Sequence, residues 1–190
     1  MLISEIPEAE KICEIVYIDK VYKGKKTPYF DKRIAGQWET RDLYKRRGFV
    51  YFITFDDVII KIGQSSNMQG YMGLVRSYMN AGMGDTPGEG RFVSACQIRE
   101  AMADNIKVAF HAIAVKDVSY VLQCPFTGET HIESAPPNMQ IFERFYINKY
   151  MEKMSVAPMM NYPNNNQSHS PKHVEAFRAY HTANSSYRKK

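Results

Sequence analysis

The stretch from Gly48 to Ser65 constrains the fold of this chain most, because its β-branched and aromatic residues form two short runs around an Asp-Asp pair. The runs Phe49 to Phe55 and Val58 to Gly63 predict two antiparallel strands joined by a tight turn. Within these runs Tyr51 and Lys61 each lie between apolar neighbours. In a hairpin this short, the two side chains can lie side by side on one face of the sheet.

Tyr51 and Lys61 allow two interpretations. A phenol beside an ammonium group is chemically useful, because the cation favours the phenolate. Alternatively, the two side chains pack their apolar parts at the edge of a sheet and extend their polar ends into water. The hairpin alone favours this second, structural interpretation.

Hydrophobic periodicity and turn residues predict the other elements. A strand is expected before the hairpin, and helices and one more strand are expected after it, whereas the Pro- and Gly-containing segment from Tyr120 to Asn138 is expected to be irregular. The predicted strands are Glu14–Ile18 and Ile106–Val115, and the predicted helices are Thr40–Arg47, Asn67–Met79, Arg91–Ala103, Met139–Met154 and Pro171–His181.

Composition excludes several classes of protein. A chain of 190 residues with 44% hydrophobic residues can bury one sizeable core, which argues against wholesale disorder. It has no apolar run of the roughly 20 residues that cross a bilayer, and no basic-then-apolar start typical of a secretion signal. Cys13, Cys96 and Cys124 are far apart and suggest free thiols in a reducing cytoplasm, and the histidine spacing does not suggest zinc.

Positive charge is concentrated in two segments. Residues 20–47 contain ten Lys or Arg and three Asp or Glu, and residues 167–190 contain five and one, so these segments carry +7 and +4. Because the whole chain carries +5, the remainder is acidic at −6. Basic flanks around an acidic centre suit a polyanion-binding protein with a metal in its core, although such charges often only solvate a surface.

These residues together resemble the GIY-YIG nuclease superfamily over roughly residues 48–164. Phe49-Val50-Tyr51 matches the first triplet of its paired motif, and Lys61-Ile62-Gly63 matches the second. Lysine replaces the tyrosine of the second triplet, which is similar to the small type II restriction enzymes of the superfamily. Arg76-Ser77-Tyr78 and the helical stretch Ile141–Tyr150 follow in the family's order.

The resemblance implies an α+β fold with a three-stranded antiparallel sheet flanked by helices. We accordingly expect a basic N-terminal arm over residues 1–47 that packs on the core, a nuclease core over 48–165, and a basic C-terminal helix and tail over 166–190.

The resemblance also implies the catalytic residues. Tyr51 would be the general base, with its pKa lowered by Lys61 and a metal, and Arg76 would hold the phosphate, with Arg91 in reserve. Glu143 would bind one Mg²⁺ or Mn²⁺ ion that contacts the phosphate and the leaving oxygen. Asn161 resembles a late asparagine that braces the site.

The residues around Glu143 leave an alternative open. This glutamate lies on an amphipathic helix among aromatic side chains, where an inward carboxylate needs a cation. Without the resemblance, a surface ion pair with Arg144 or Lys149 is the simpler interpretation.

The expected function is that of a metal-dependent endonuclease acting on double-stranded DNA, similar to a restriction enzyme. A homodimer would fit palindromic cleavage, and no membrane partner is expected. Two alternatives stay open: a phage, mobile-element or repair nuclease acting on branched DNA, and a nucleic-acid-binding module without catalysis.

Overall fold

A computed structural model of the chain describes residues 1–41, 48–66, 69–161 and 169–185. The fold is α+β, with a mixed order of strands and helices along the chain. The strands are β1 (Glu10–Ile18), β2 (Arg33–Trp38), β3 (Phe49–Phe55), β4 (Val58–Ser65), β5 (Val108–Ala114), β6 (Val118–Gln123) and β7 (Thr130–Ala135). The helices are α1 (Gly70–Asn80), α2 (Glu89–Ala103), α3 (Met139–Met154) and α4 (Pro171–Ser185), after a 3-10 turn at Ile3–Glu5.

Five strands form the main sheet in the order β2-β1-β5-β3-β4, and every neighbouring pair is antiparallel. The three-stranded sheet expected from the sequence corresponds to β5-β3-β4. The expectation of three strands was too small, because β1 pairs with the otherwise open edge of β5 and carries β2 with it. Part of the predicted N-terminal arm is therefore sheet.

The β3–β4 hairpin forms because apolar β-formers on both sides meet a turn that the sequence permits. Asp56 and Asp57 both have positive φ, 45° and 66°, and aspartate tolerates this region better than most residues. The primed turns that need two positive φ values match the twist of paired strands. β3 is almost wholly buried because it lies between β4 and β5.

Two apolar layers cover the two faces of the sheet. On one face α1 and α2 pack against β3 and β5, with Tyr71, Leu74, Val75 and Ile98 in that core. On the other face α3 packs against β3 and β4 through Met139, Tyr146, Ile147 and Tyr150. Helix α4 lies against α2, where Tyr180 stacks on Phe92 with ring centroids 5.2 Å apart.

Most predicted helices are confirmed, with small shifts at their ends. Met139–Met154 has the predicted bounds, α2 starts two residues earlier than predicted, and α4 continues past His181 to Ser185. The helix predicted over Thr40–Arg47 lies outside the described residues from position 42 onward.

The segment predicted to be irregular, Tyr120 to Asn138, instead contains most of the separate β6–β7 hairpin. Both its strands are largely exposed, so no buried face imposes the alternating pattern that sequence analysis depends on. No helix in the described part of the chain is long and apolar enough to span a membrane.

Candidate active site

The register of the β3–β4 hairpin positions Tyr51 and Lys61. Tyr51 lies opposite Gly63, and Lys61 lies opposite Ile53. Residues two apart on a strand share a face, so Tyr51 and Lys61 are on the same face but diagonal to one another, not directly side by side. A Cβ atom on Gly63 would be 2.3 Å from Cζ of Tyr51, so only glycine at this position lets the phenol ring lie across β4.

A second tyrosine completes a buried pair. The hydroxyl groups of Tyr51 and Tyr78 are 2.8 Å apart and share a hydrogen bond. The two side chains are 5% and 2% exposed. Burial raises the pKa of both phenols, and for Tyr51 the neighbouring Tyr78 raises the pKa further. Tyr78 follows Arg76 by two residues, but nothing in the sequence predicts its contact with Tyr51.

Arg91 provides the cation next to this pair. Its guanidinium carbon lies 4.3 Å from the centre of the Tyr78 ring, and its Nη1 donates a hydrogen bond to Oγ of Ser77. Arg91 opposes the raised pKa of both tyrosines. The expectation that Lys61 lowers the Tyr51 pKa is wrong for this structure, because the lowering charge belongs to Arg91 and burial outweighs it.

Lys61 is a buried cation with one direct partner. Its Nζ donates a hydrogen bond of 2.9 Å to the carbonyl oxygen of Met160. Burial lowers the pKa of Lys61 to about 8, Arg91 lowers it as well, and Glu143 opposes the shift. The ammonium group is therefore close to losing its proton at mildly alkaline pH.

Asn161 holds the edge strand that carries Lys61. Its Oδ1 accepts a 2.9 Å hydrogen bond from the backbone N–H of Ile62, and its Nδ2 donates a 2.6 Å bond to the carbonyl oxygen of the same residue. The backbone N–H of Met160 also donates to the carbonyl oxygen of Ile60 at 2.9 Å. Asn161 thus braces β4 next to Lys61, and it is buried.

Glu143 lies on α3, which packs on the opposite face of the sheet and against β4. Burial raises the pKa of its carboxyl group, and the charge of Lys61 opposes that shift. Within the described residues, Glu143 makes no salt bridge to Arg144 or Lys149; the Lys149 ammonium instead lies 4.8 Å from the centre of the Phe145 ring. A half-buried carboxylate near a single lysine leaves negative charge that a further cation could neutralise.

The described residues contain no cluster of three or more His, Cys, Asp or Glu side chains that could enclose a metal. Mg²⁺ does not need such a cluster, since it commonly takes one or two carboxylates and fills its shell with water and phosphate oxygens. Glu143 therefore fits a divalent cation that is shared with a phosphate, and it does not fit an all-protein metal site.

Tyr51, Lys61, Tyr78 and Arg91 line one open cavity of about 780 Å³. Glu143 lines a neighbouring cleft along α3 and interacts electrostatically with Lys61. Arg76 is exposed and does not line the cavity, although it lies on the same helix as Tyr78. The structure thus brings Tyr51 and Lys61 together, with Glu143 near Lys61, and places the reserve residue Arg91 where Arg76 was expected.

His169 also lines the cavity, and sequence analysis did not select it. It is far along the chain from the hairpin, and no spacing motif links it to the other cavity residues. Only the packing of α4 on α2 brings it there.

No family model and no curated protein matches the chain. Among solved structures, a mutant of bacteriophage T4 EndoII is similar at 14% identity and a TM-score of 0.47, over 79% of this chain and 95% of that one. Restriction endonuclease HPY188I in complex with product DNA is similar at 18% identity and a TM-score of 0.40, over 82% and 81% of the two chains. At these values the likeness is a partial one of fold.

Proposed function

We propose that this protein is a metal-dependent endonuclease of the GIY-YIG type that hydrolyses phosphodiester bonds in double-stranded DNA. The observation that carries the proposal is the convergence of Tyr51, Tyr78, Lys61 and Arg91 on one open cavity, with Glu143 close to Lys61. Two fixed cations beside two phenols suit an anionic ester whose charge increases during attack.

In the proposed reaction, Tyr51 accepts a proton from the attacking water. Burial keeps its phenol protonated in the free protein, so Tyr51 must first lose a proton to solvent. Its hydrogen bond to Tyr78, which lies under Arg91, stabilises the resulting phenolate. The water oxygen then bonds to phosphorus, and the bond from phosphorus to the leaving oxygen breaks.

Arg91 holds the phosphate in this proposal, in place of Arg76. A guanidinium group presents several donors in one plane and keeps its charge at every accessible pH, which suits a phosphate undergoing substitution. Lys61 contributes a second charge while it is protonated, and its contact with Met160 fixes its position.

Glu143 would hold the Mg²⁺ or Mn²⁺ ion. The bound cation would supply positive charge that offsets the charge developing on the phosphate and the leaving oxygen. The fit depends on a single half-buried carboxylate, so the affinity for metal should be weak until a phosphate adds its own oxygens.

The test is cleavage of plasmid DNA with and without Mg²⁺ or Mn²⁺, followed by sequencing of the ends. The wild-type protein should cleave only with metal, and Glu143→Gln should abolish cleavage while DNA binding persists. Full activity of Glu143→Gln would remove the metal role of this residue. Recurrent ends at a palindrome would indicate restriction-type cleavage, and nicking confined to branched DNA would indicate the repair-type alternative.

A further inference from the structure

The first turn of α2 carries a His–Glu pair that the proposed hydrolysis does not use. Nδ1 of His169 lies 2.6 Å from Oε1 of Glu89. The imidazole is 16% exposed, and the carboxylate is 43% exposed. A short contact to a carboxylate fixes the orientation of an imidazole ring and favours its protonated form.

The pair belongs to the wall of the same cavity. His169, Gly88, Gly90 and Arg91 all line it. A Cβ atom on Gly90 would be 3.9 Å from Cε1 and 4.0 Å from Nε2 of His169, so the imidazole edge that bears Nε2 lies one residue away from Arg91. No side chain of Gly88 or Gly90 separates the α2 backbone from a ligand there.

The charges around the cavity favour an anion. Lys61 and Arg91 contribute positive charge, and Glu89 and Asp85 contribute negative charge, one of which is already engaged with His169. A protonated imidazole carries an N–H donor on each ring nitrogen, so it can contact a carboxylate on one side and a phosphate on the other.

The size of the cavity suggests more than one phosphate. Its volume of about 780 Å³ lies within the range of roughly 300–1,000 Å³ that accommodates drug-sized ligands. The Tyr51, Tyr78 and Arg91 cluster occupies one part of the lining, and the His169–Glu89 pair extends it along α2.

We propose that His169, oriented by Glu89, binds a second phosphate of the cleaved DNA strand, next to the scissile phosphate held at Arg91. The ligand class is the anionic sugar-phosphate backbone, so this inference rests on the proposed function for the identity of the ligand. Glu89 is a positioning residue, because it acts through the imidazole.

The test pairs a protein change with a change in the substrate. One methylphosphonate, which lacks the negative charge, replaces each phosphate flanking the cut in turn. His169→Gln should lower kcat/KM on natural DNA about tenfold or more, as expected for a lost charge-assisted hydrogen bond. Wild-type protein should lose a similar factor at one flanking position, and His169→Gln should lose less than about threefold more there.

A matched control is present on the same pair of helices. His173 contacts Glu100 with Nε2 3.0 Å from Oε2, and its side chain is 9% exposed, but it does not line the cavity. His173→Gln should therefore retain the wild-type rate and the wild-type response to methylphosphonate. Equal losses for His173→Gln and His169→Gln would show that attachment of α4 is what matters, and would overturn the proposal.

Two further outcomes would overturn it: a rate within about twofold of wild type for His169→Gln, or losses from His169→Gln and from every methylphosphonate that simply multiply. If His169→Gln fails to fold, Glu89→Gln carries the test, because it should show the same non-additive pattern at the same phosphate. A threefold or smaller loss of kcat/KM in Glu89→Gln without that pattern would then count against the proposal.

Fluorescence anisotropy with the same duplexes in EDTA separates this inference from the proposed function. If wild-type protein cleaves no DNA with any metal, the nuclease proposal fails. The phosphate site is then judged by affinity alone: weaker binding for His169→Gln than for His173→Gln supports it, and equal binding rejects it.

Discussion

Tyr51 and Tyr78 define the chemistry of the cavity at the scale of single residues. Both phenols are buried and share a hydrogen bond, and burial raises the pKa of each. The pair is therefore neutral in the resting protein, and the nearby cations have to favour the phenolate before either phenol can serve as a base. A tyrosine with a raised pKa is a strong base once it is deprotonated, but only a small fraction is deprotonated at neutral pH.

Tyr51→Phe should lower the cleavage rate by about 100-fold or more, the low end of what a positioned general base contributes. The ring packing on Tyr78 is kept, so the melting temperature should change little. Tyr150→Phe is the control, because it removes a buried hydroxyl on the α3 face of the sheet. A near-normal rate in folded Tyr51→Phe would assign the base to another group.

Arg91 and Arg76 should differ in their contribution to catalysis. Arg91→Ala removes a cavity-lining cation and should lower kcat/KM by about 100-fold or more, as loss of a transition-state donor typically does. Arg76→Ala removes an exposed side chain and should stay within about threefold of wild type. Thermal melts should accompany both assays, since Arg91 also packs on Tyr78. The reverse order of effects would return the phosphate role to Arg76.

Lys61 should make activity depend on pH. Because its pKa in the folded protein is lowered to about 8, Lys61 is charged below that pH and neutral above it. The ratio of wild-type to Lys61→Gln kcat/KM should be large at pH 6–7 and fall toward one above about pH 8, since kcat/KM reports ionisations of the free enzyme. A ratio that stays constant up to pH 10 would show that the charge of Lys61 is not used.

The same shift makes a prediction about stability. The unfolded chain keeps this proton up to about pH 10.5, so it binds more protons than the folded chain between the two pKa values. The stability of wild type relative to Lys61→Gln should therefore rise as the pH increases from about 8 to 10.5. Urea unfolding at several pH values measures this difference.

At the scale of elements, the β3–β4 hairpin orients the site through a close approach of strand and ring. Gly63→Ala would place a methyl group 2.3 Å from Cζ of Tyr51 and 2.4 Å from its hydroxyl oxygen. The ring must move, so we expect a loss of about 1–3 kcal/mol of stability, typical of overpacking, together with a marked loss of activity. Urea unfolding and plasmid cleavage check the two effects.

Gly90→Ala is the matched control for this strain. Its added methyl group would meet only ordinary contacts, 3.9 Å or more away, and alanine favours a helix over glycine by up to about 1 kcal/mol. Its stability should therefore be equal to or above that of wild type. Equal stability of Gly63→Ala and Gly90→Ala would show that the Tyr51 ring is not confined by β4.

The free edge of β4 is a second feature at this scale. The segment from Ala157 to Asn161 bonds to the β4 backbone at Ile60 and Ile62, and it also accepts the Lys61 ammonium. An open edge strand would otherwise expose unpaired backbone groups. The same contacts that cover the edge therefore position a cation of the candidate site.

At the scale of the whole molecule, the basic N-terminal segment lies beside the cavity. A Cβ atom on Gly84 would be 1.9 Å from the hydroxyl oxygen of Tyr22, so this segment contacts the loop between α1 and α2. Lys26 interacts electrostatically with Asp85, which lines the cavity. DNA that enters the cavity would therefore pass close to the lysines of residues 20–33.

Replacing Lys23, Lys25 and Lys26 together with Ala should weaken binding to specific and random DNA alike. Contacts to phosphates release counterions, so log affinity should fall with log salt by about 0.9 per phosphate neutralised, and the triple variant should show a flatter slope. Titrations by anisotropy at several salt concentrations measure the slope. An unchanged slope would show that this basic segment only solvates a surface, and loss confined to one DNA sequence would indicate contacts to base edges.

The sequence by itself determined the elements whose local signals are strong. The β3–β4 hairpin, β5 and helices α2 to α4 follow from alternation, helical periodicity and turn residues, and Tyr51, Lys61 and Glu143 follow from the paired triplets and their order. Strand β2 was missed because Arg33–Trp38 is short and has a glycine in its interior, and β6–β7 was missed because its strands have no buried face.

Only the tertiary structure decided which charges meet. The strand register placed Lys61 diagonal to Tyr51, helix packing brought Tyr78 to Tyr51, and Arg91 took the position expected for Arg76. The pKa of Tyr51 is raised because burial depends on what covers a residue, and no local pattern encodes that cover. His169 joins the cavity for the same reason: docking α4 on α2 is a long-range packing event driven by apolar contacts around Phe92.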